Sequence, residues 1–191
     1  MQLSRSRYPG EMHRVRIATE ADIAELTELI TRSARVLSRG HYTDSETESA
    51  IQYVFGVDST LVADRTYFVV EDRDAIVGCG GWSQRRTLYG GDQRPVGAPV
   101  MLDPVRDAAR IRAFFVAPEA ARQGVGRRLL DECVKAAAQA GYRSLELMST
   151  LPGVPFYAAL GFDAIEQVSD TLPDGVTLRF VRMRRMLQGE D

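Results

Sequence analysis

The sequence is poor in the residues that build metal sites and disulfide scaffolds. Its 191 residues include two cysteines, Cys79 and Cys133, and two histidines, His13 and His41. No Cys-x-x-Cys pair occurs, and neither histidine lies close to a cysteine in sequence, so the ligand spacing of a zinc site is missing. Sparse cysteines are typical of a reducing compartment. We therefore predict a protein without a metal centre, in the cytoplasm.

Long apolar runs and a basic excess are also missing. No stretch of about 18 apolar residues is present, as a membrane-spanning helix would require, and the first 14 residues lack the apolar core of a signal peptide. The net charge is -2 and the pI about 5.8, whereas nucleic-acid-binding domains are usually basic. We expect neither a membrane nor a nucleic acid as partner. The length fits one domain with its own core.

Hydrophobic periodicity predicts an α/β domain over residues 12–187, preceded by a flexible arm over residues 1–11. The predicted element order is βααβββαβαββ. Alternating or continuous apolar patterns place strands at 12–18, 67–71, 75–82, 108–116, 143–148, 162–168 and 176–186. Helical spacing and capping signals place helices at 19–40, 43–56, 122–140 and 155–160.

A glycine-containing turn between a predicted strand and a long predicted helix is the most informative segment. The strand ends at Val116, and Gly124 and Gly126 open the helix. The first amides of a helix lack partners within it and lie at the positive end of its dipole, so they attract anions. Glycine lets a phosphate approach the backbone, and Arg122, Arg127 and Arg128 add positive charge. The pattern suits a pyrophosphate; the alternative is a tight turn with solvated arginines.

The stretch 111–130 resembles the acyl-CoA-binding motif of the GNAT superfamily of N-acetyltransferases. Val116-Ala117-Pro118 and Gln123-Gly124-Val125-Gly126 carry the resemblance, while the first motif position falls on Ala121. The element order is similar over nearly the whole chain. The resemblance implies a central mixed β-sheet flanked by helices, and acetyl-CoA as the acyl donor with no metal. The cofactor-binding residues that it implies are Phe114, Val116, Arg122, Gln123, Gly124, Val125, Gly126 and Arg127.

A second segment, Val154 to Phe162, resembles the later motif of the same family, in which an aromatic-Tyr pair precedes a Leu-Gly-Phe turn. The resemblance implies that Tyr157 lies near the CoA thiol. A leaving thiolate needs a proton, and a phenol with a pKa near 10 stays protonated at neutral pH, so Tyr157 is a candidate general acid. The alternative is a core aromatic residue.

Several further residues leave alternatives open. Glu71, Asp92, Glu146 and ordered water are all candidates for the general base. Asp44, Glu46 and Glu48 either attract a cationic acceptor or cap and solvate a helix. Residues 83–106 show no helical or strand period although they join two neighbouring strands. We expect this segment to fold back as a flap that walls the acceptor site.

Together these patterns predict an N-acetyltransferase that moves an acetyl group from acetyl-CoA to a primary amine by direct attack. The acceptor is a small-molecule or peptide amine, and a homodimer is left open as the assembly. The alternative is a non-catalytic acyl-CoA-binding or regulatory module. One fold hosts many functions, so the resemblance leaves the acceptor open.

Overall fold

A seven-stranded sheet organises the computed structural model, which describes residues 13–94 and 100–187. Its order is β1-β2-β3-β4-β5-β7-β6, and every neighbouring pair is antiparallel except β4 with β5. The predicted mixed sheet is therefore confirmed. The predicted arm at 1–11 lies outside the described residues. The strands are β1 (Arg14–Ile17), β2 (Tyr67–Asp72), β3 (Ala75–Ser83), β4 (Ala109–Val116), β5 (Ser144–Thr150), β6 (Asp163–Thr171) and β7 (Thr177–Met186).

Five α-helices connect the strands, one more than the sequence patterns predicted. They are α1 (Ile23–Leu37), α2 (Asp44–Tyr53), α3 (Ser59–Ala63), α4 (Val125–Gln139) and α5 (Val154–Ala159). The unpredicted α3 has five residues, too few for a helical period to show. Its start signal is Asp58, whose carboxylate accepts a hydrogen bond from the Leu61 amide.

Glycines on β3 let other elements approach the sheet closely. A Cβ at Gly78 would lie 2.5 Å from the Val125 side chain of α4, and one at Gly80 would lie 2.5 Å from the Phe114 ring. Because these residues have no side chain, α4 packs directly on the sheet and Phe114 lies flat across β3. The start of α4 is thereby brought close to the end of β4.

The parallel pair β4–β5 is joined over a very short length. The register contains only two pairs, Ala109 with Leu145 and Arg110 with Glu146, although both strands continue well beyond them. From Ile111 onward the strands diverge, so each has an edge without a strand partner on that side. Unpaired backbone groups need another hydrogen-bonding partner, either water or a ligand. The divergence therefore marks a place where a ligand can bind to strand edges.

A buried ion-pair network lies at the point where the two strands separate. The Glu146 side chain is 5% exposed and contacts Arg110 at 2.6 Å and Arg182 of β7 at 2.9 Å. Arg182 also pairs with Glu166 of β6, whose side chain is 51% exposed. The network thus ties β4, β5, β7 and β6 together beside the opening. Its central carboxylate is satisfied by two guanidinium groups.

We expect Glu146→Gln to lower the free energy of unfolding by about 3 kcal/mol, because it leaves Arg110 buried without a counter-charge. Urea unfolding monitored by circular dichroism measures the loss. Glu166→Gln is the matched control. It removes the exposed partner of Arg182, the arginine that also pairs with Glu146, and should cost less than about 1 kcal/mol. Equal losses for the two variants would contradict a stabilising role specific to the buried carboxylate.

Candidate active site

A cavity of about 890 Å³ opens where β4 and β5 diverge. Its walls are formed by the divergent part of β4, the end of β5, the first turn of α4 and the first turn of α5. The lining residues from these elements are Ile111–Val116, Leu147–Thr150, Gly124–Arg127 and Pro155–Tyr157. The segments that the sequence singled out therefore surround one cavity.

Backbone amides form an anion cradle at one end of this cavity. None of the N–H groups of residues 122–127 donates a hydrogen bond within the described part of the chain. Gly124, the residue before α4, has φ +84, and Arg122 has φ +65. Glycine adopts this left-handed conformation without strain, which lets the turn direct successive amides to the same side. Free amides at a helix N-terminus favour a bound phosphate.

Positive side chains flank the cradle. Arg122 and Arg127 are exposed and line the cavity. Among residues 13–94 and 100–187, no carboxylate lies within ion-pair distance of either. Their charges therefore remain available to an anion. The Gln123 side chain instead donates to the Glu119 carbonyl at 2.7 Å and does not line the cavity. The predicted cofactor contact of Gln123 is therefore limited to its unpaired backbone amide.

Gly126 has a packing role that the sequence did not reveal. A Cβ at this position would lie 3.0 Å from the Phe156 ring of α5. The absence of a side chain therefore lets α5 approach α4, in addition to leaving room for a phosphate. A bulky residue at Gly126 would disturb both the packing of α5 and the binding of a phosphate. Replacing the arginines near the cradle therefore tests it more cleanly.

The open edge of β4 carries Phe114 and Val116, and a bulge reshapes it. The register with β3 shifts between Cys79 and Gly81, and Ala113 has φ +54. An alanine in this region is strained. The buried Tyr67 hydroxyl donates to the Ala113 carbonyl at 3.0 Å and holds the strained residue in place. The bulge bends β4 within the part that lines the cavity.

Tyr157 is buried in an aromatic cluster but its hydroxyl faces the cavity. Its ring packs against Phe114, Phe156 and Phe162 with centroid distances of 6.3, 4.9 and 5.6 Å. Gly161, at φ +83, turns the chain so that the Phe162 amide donates to the Tyr157 carbonyl. The hydroxyl has no hydrogen-bond partner in the described chain. Unlike the fully buried unpaired polar atoms of that part of the chain, it remains accessible to solvent, and Tyr157 lines the cavity. It therefore opens into the cavity.

Burial raises the pKa of Tyr157 well above its ordinary value, with a smaller contribution from nearby Cys133. The phenol is therefore protonated at neutral pH and able to donate. A higher pKa also makes it a weaker acid. The same desolvation raises the proton affinity of a thiolate formed beside it, so the two shifts partly offset each other.

None of the three candidate carboxylate bases lines the cavity. Glu146 is enclosed by Arg110 and Arg182, and Glu71 pairs with Arg16 at 2.6 Å. Asp92 accepts hydrogen bonds from the Ser59 amide and hydroxyl at the start of α3. Each carboxylate thus has a structural partner away from the cavity.

The acidic residues near the start of α2 and the Cys79 thiol also lie outside the cavity lining. Glu46 caps α2 through Thr43, Glu48 pairs with Arg35, and neither they nor Asp44 line the cavity. Cys79 is fully buried, and burial raises the pKa of its thiol to about 12, which disfavours a nucleophilic thiolate.

The described part of the 83–106 segment folds against the domain; residues 95–99 lie outside the description. The Gly91 and Asp92 amides donate to the carbonyls of Val54 and Val57. Leu88–Gly91 line the cavity. A second anchor is an ion pair between Arg94 and Asp170 of β6. The predicted fold-back is therefore seen in the described part, and we name residues 84–94 the flap.

Two further lining residues were not predicted from the sequence. His41, in the α1–α2 connection, and Arg112 of β4 both line the cavity. Arg112 is 7% exposed, contacts Asp58 at 2.7 Å and donates to the Gly90 carbonyl of the flap. Two arginines, Arg110 and Arg112, in a strand whose other residues are apolar were the signal that could have drawn attention to it.

Metal-ligating clusters and membrane-spanning helices are both absent from residues 13–94 and 100–187. No group of three or more His, Cys, Asp or Glu side chains in that part of the chain could hold a metal ion. None of its helices combines the length and apolar character needed to cross a membrane.

Comparison with protein-family models identifies the class to which this cradle and fold belong. The model described as an acetyltransferase (GNAT) domain matches residues 63–164, just over half of the chain. The protein therefore belongs to the GNAT acetyltransferase family. The matched region runs from the end of α3 to the start of β6 and contains both cavity-lining strands, the cradle and Tyr157. Comparison with curated proteins found no match.

Solved structures share the fold at low identity. A GCN5-related N-acetyltransferase from Rhodopseudomonas palustris is 18% identical with a TM-score of 0.69, over 95% of this chain and 100% of the other. A putative acetyltransferase from Salmonella typhimurium with its cofactor acetyl-CoA is 17% identical (TM-score 0.61, 94% and 96%). The PaiA N-acetyltransferase from Thermoplasma acidophilum in complex with coenzyme A is 14% identical (TM-score 0.61, 92% and 99%).

The cradle predicts different effects for two neighbouring arginines. Arg127→Glu should weaken CoA binding at least about tenfold, because it places a like charge beside the phosphates. Arg128→Glu, one residue further along α4 and outside the cavity lining, should change the Kd less than about threefold. Isothermal titration calorimetry with CoA measures both, and melting curves verify folding. Equal effects would place the anion elsewhere.

Proposed function

We propose that the protein transfers an acetyl group from acetyl-CoA to a primary amine by direct attack. The supporting observation is that unpaired amides with two arginines and the Tyr157 hydroxyl face one cavity. In this proposal the diphosphate of CoA binds to the amides and arginines, and the leaving thiol lies beside the Tyr157 hydroxyl. The two buried cysteine thiols are not joined in a disulfide, which agrees with action in the cytoplasm.

The reaction balances with one proton donor and a neutral amine. The amine lone pair attacks the thioester carbonyl carbon, and the carbonyl oxygen takes up the negative charge. Collapse of the tetrahedral intermediate breaks the carbon–sulfur bond and expels the CoA thiolate. The thiolate takes a proton, and the amide nitrogen loses one to water. The protein has to position the thioester, stabilise the oxyanion and supply the proton.

Residues on β4 are placed to position the thioester. The strand has no partner on its β5 side beyond Arg110, so its backbone groups there can pair with an extended pantetheine arm. Phe114 and Val116 lie on this stretch and line the cavity. The Ala113 bulge lies between Arg112 and Phe114 and re-aims the neighbouring amides, which makes them candidates for the oxyanion contact.

Tyr157 is the proposed general acid. It is protonated at neutral pH, its ring is fixed by three aromatic neighbours, and its hydroxyl opens into the cavity. A fixed ring keeps the proton where the thiolate forms. A non-catalytic acyl-CoA-binding module would need the cradle but not this hydroxyl, so the tyrosine separates the two functions.

Acetyl-CoA should stabilise the protein and act as a donor. At 100 times its Kd, a ligand that binds only the folded state adds about 2.7 kcal/mol to the free energy of unfolding. Differential scanning fluorimetry measures the shift, with ATP as a control that carries phosphates without the pantetheine arm. Thiol release, followed with a thiol-reactive dye, should require both acetyl-CoA and an amine. An unchanged melting temperature at saturating acetyl-CoA contradicts the proposal.

Tyr157→Phe should keep the CoA affinity within about twofold and lower kcat about a hundredfold, since general-acid help is worth that much. Tyr142→Phe is the matched control. Tyr142 is a buried tyrosine whose hydroxyl donates to the Leu102 carbonyl, away from the cavity lining. Its removal should leave kcat unchanged. If both variants turn over like the parent protein, water protonates the thiolate and Tyr157 serves packing alone.

A further inference from the structure

The part of the cavity lining that lies outside β5, α4 and α5 contains no carboxylate in the described chain. It is formed by α1, the segment after α2, the flap, Arg112 and β7. The lining residues from these elements are Ser33, Ala34, Leu37, Ser38, His41, Val54–Gly56, Leu88–Gly91, Arg112 and Phe180. We call this region the acceptor half. The ionisable residues that line the whole cavity are His41, Tyr89, Arg112, Arg122, Arg127 and Tyr157, and none of them carries a negative charge at neutral pH in its ordinary state.

Carboxylates close to the acceptor half are already committed to other groups. Asp58 lies within 2.7 Å of Arg112, and Asp170 pairs with Arg94 at the outer side of the flap. Asp92 accepts from Ser59, and Glu48 pairs with Arg35. None of these carboxylates lines the cavity. Among the described residues, an incoming ammonium group therefore finds no negative partner in this lining.

The guanidinium of Arg112 is almost fully buried, and its charge is matched within the described chain. Asp58 lies 2.7 Å from it, and Asp92 also interacts favourably with its charge. Its Nε atom is buried without a hydrogen-bond partner in the described chain. Around it the lining is mainly apolar, with Leu37, Phe55 and Leu88. An apolar lining without a carboxylate disfavours the charged form of an amine.

We propose that the acceptor half binds its amine uncharged, and that the acceptor is a weakly basic amine with an apolar body and no second positive charge. The inference rests on the proposed acetyl transfer, because it names that reaction's acceptor. Only an uncharged amine has the lone pair that attacks the thioester. Acidic sites that attract ammonium ions hold the proton on the amine and then need a base to remove it. Here the amine gives its proton to water before or on binding.

Amine basicity decides how much acceptor is available in this form. An α-amino group with a pKa near 7.8 is about one-third uncharged at pH 7.5, whereas a lysine-like amine with a pKa near 10.4 is only about one-thousandth uncharged. A site that binds the uncharged form therefore discriminates by more than about a hundredfold between otherwise similar amines. A polyamine additionally brings charges that the acceptor half has no group to neutralise.

Calorimetry on CoA-saturated protein tests this directly, without turnover. The probes are phenylalanine amide, the more basic 2-phenylethylamine, spermidine and, as a control without an amine, 2-phenylethanol. Titration in buffers of different ionisation enthalpy should show about one proton released per 2-phenylethylamine bound at pH 7.5, and none for 2-phenylethanol. Binding without proton release, stronger binding of spermidine, or no binding of either phenyl amine overturns the proposal.

Turnover supplies an independent readout. The pH at which kcat/KM reaches half its maximum should follow the acceptor's own pKa, so it should be higher for 2-phenylethylamine than for phenylalanine amide. A midpoint common to both acceptors would assign deprotonation to a group of the protein, with His41 the only histidine in the lining, and would overturn the proposal. Proton release without thiol release would uphold the acceptor class and contradict acetyl transfer.

A gain of negative charge should reverse the preference. Leu88→Asp places a carboxylate in the lining of the acceptor half and should raise the spermidine affinity, relative to phenylalanine amide, at least about tenfold. Val105→Asp is the matched control, since Val105 is 73% exposed and outside the cavity lining. Equal shifts in the two variants would mean that overall charge, and not the cavity lining, sets the preference, and would contradict the proposal.

Discussion

The divergence of β4 and β5 after two residue pairs is the constraint on which the site depends. Each strand beyond Arg110 and Glu146 gives up hydrogen bonds that a continuous parallel pair would make. The domain tolerates this because strong interactions lie at the junction. Glu146 joins three elements through two arginines there, and the Ala113 bulge is held from the opposite side by the buried Tyr67 hydroxyl. Strand edges, cradle and Tyr157 then face one space.

Local features of the site were predictable from sequence because local physics produces them. A strand, a turn with glycine and a helix start at Val125 place unpaired amides together whatever the rest of the chain does. Gly161 likewise returns Phe162 beneath Tyr157 within five residues of chain. The sheet class and element order followed from periodicity and family resemblance. The sheet class is confirmed, and the element order agrees with the structure apart from the additional helix α3.

The parts that sequence did not predict depend on residues far apart in the chain. Arg112 and Asp58 meet only after the sheet has formed, and the flap reaches the acceptor half through the carbonyls of Val54 and Val57. No spacing rule connects such positions. The position of the candidate bases outside the cavity has the same origin. Glu71 and Glu146 are carboxylates on strands, but their charges are matched by arginines on neighbouring strands. A sequence shows the acid and not its partner.

The proposed reaction gives a reason why the described lining of the acceptor half contains no carboxylate. In that reaction acetyl-CoA would bring several phosphate charges to the unpaired amides and to Arg122 and Arg127. A carboxylate-lined acceptor half would place negative charge in the same cavity as these phosphates and the developing oxyanion. An acceptor bound uncharged avoids that conflict, since it contributes neither repulsion nor a proton that must be removed. The missing carboxylates thus fit the chemistry of the donor as well as that of the amine.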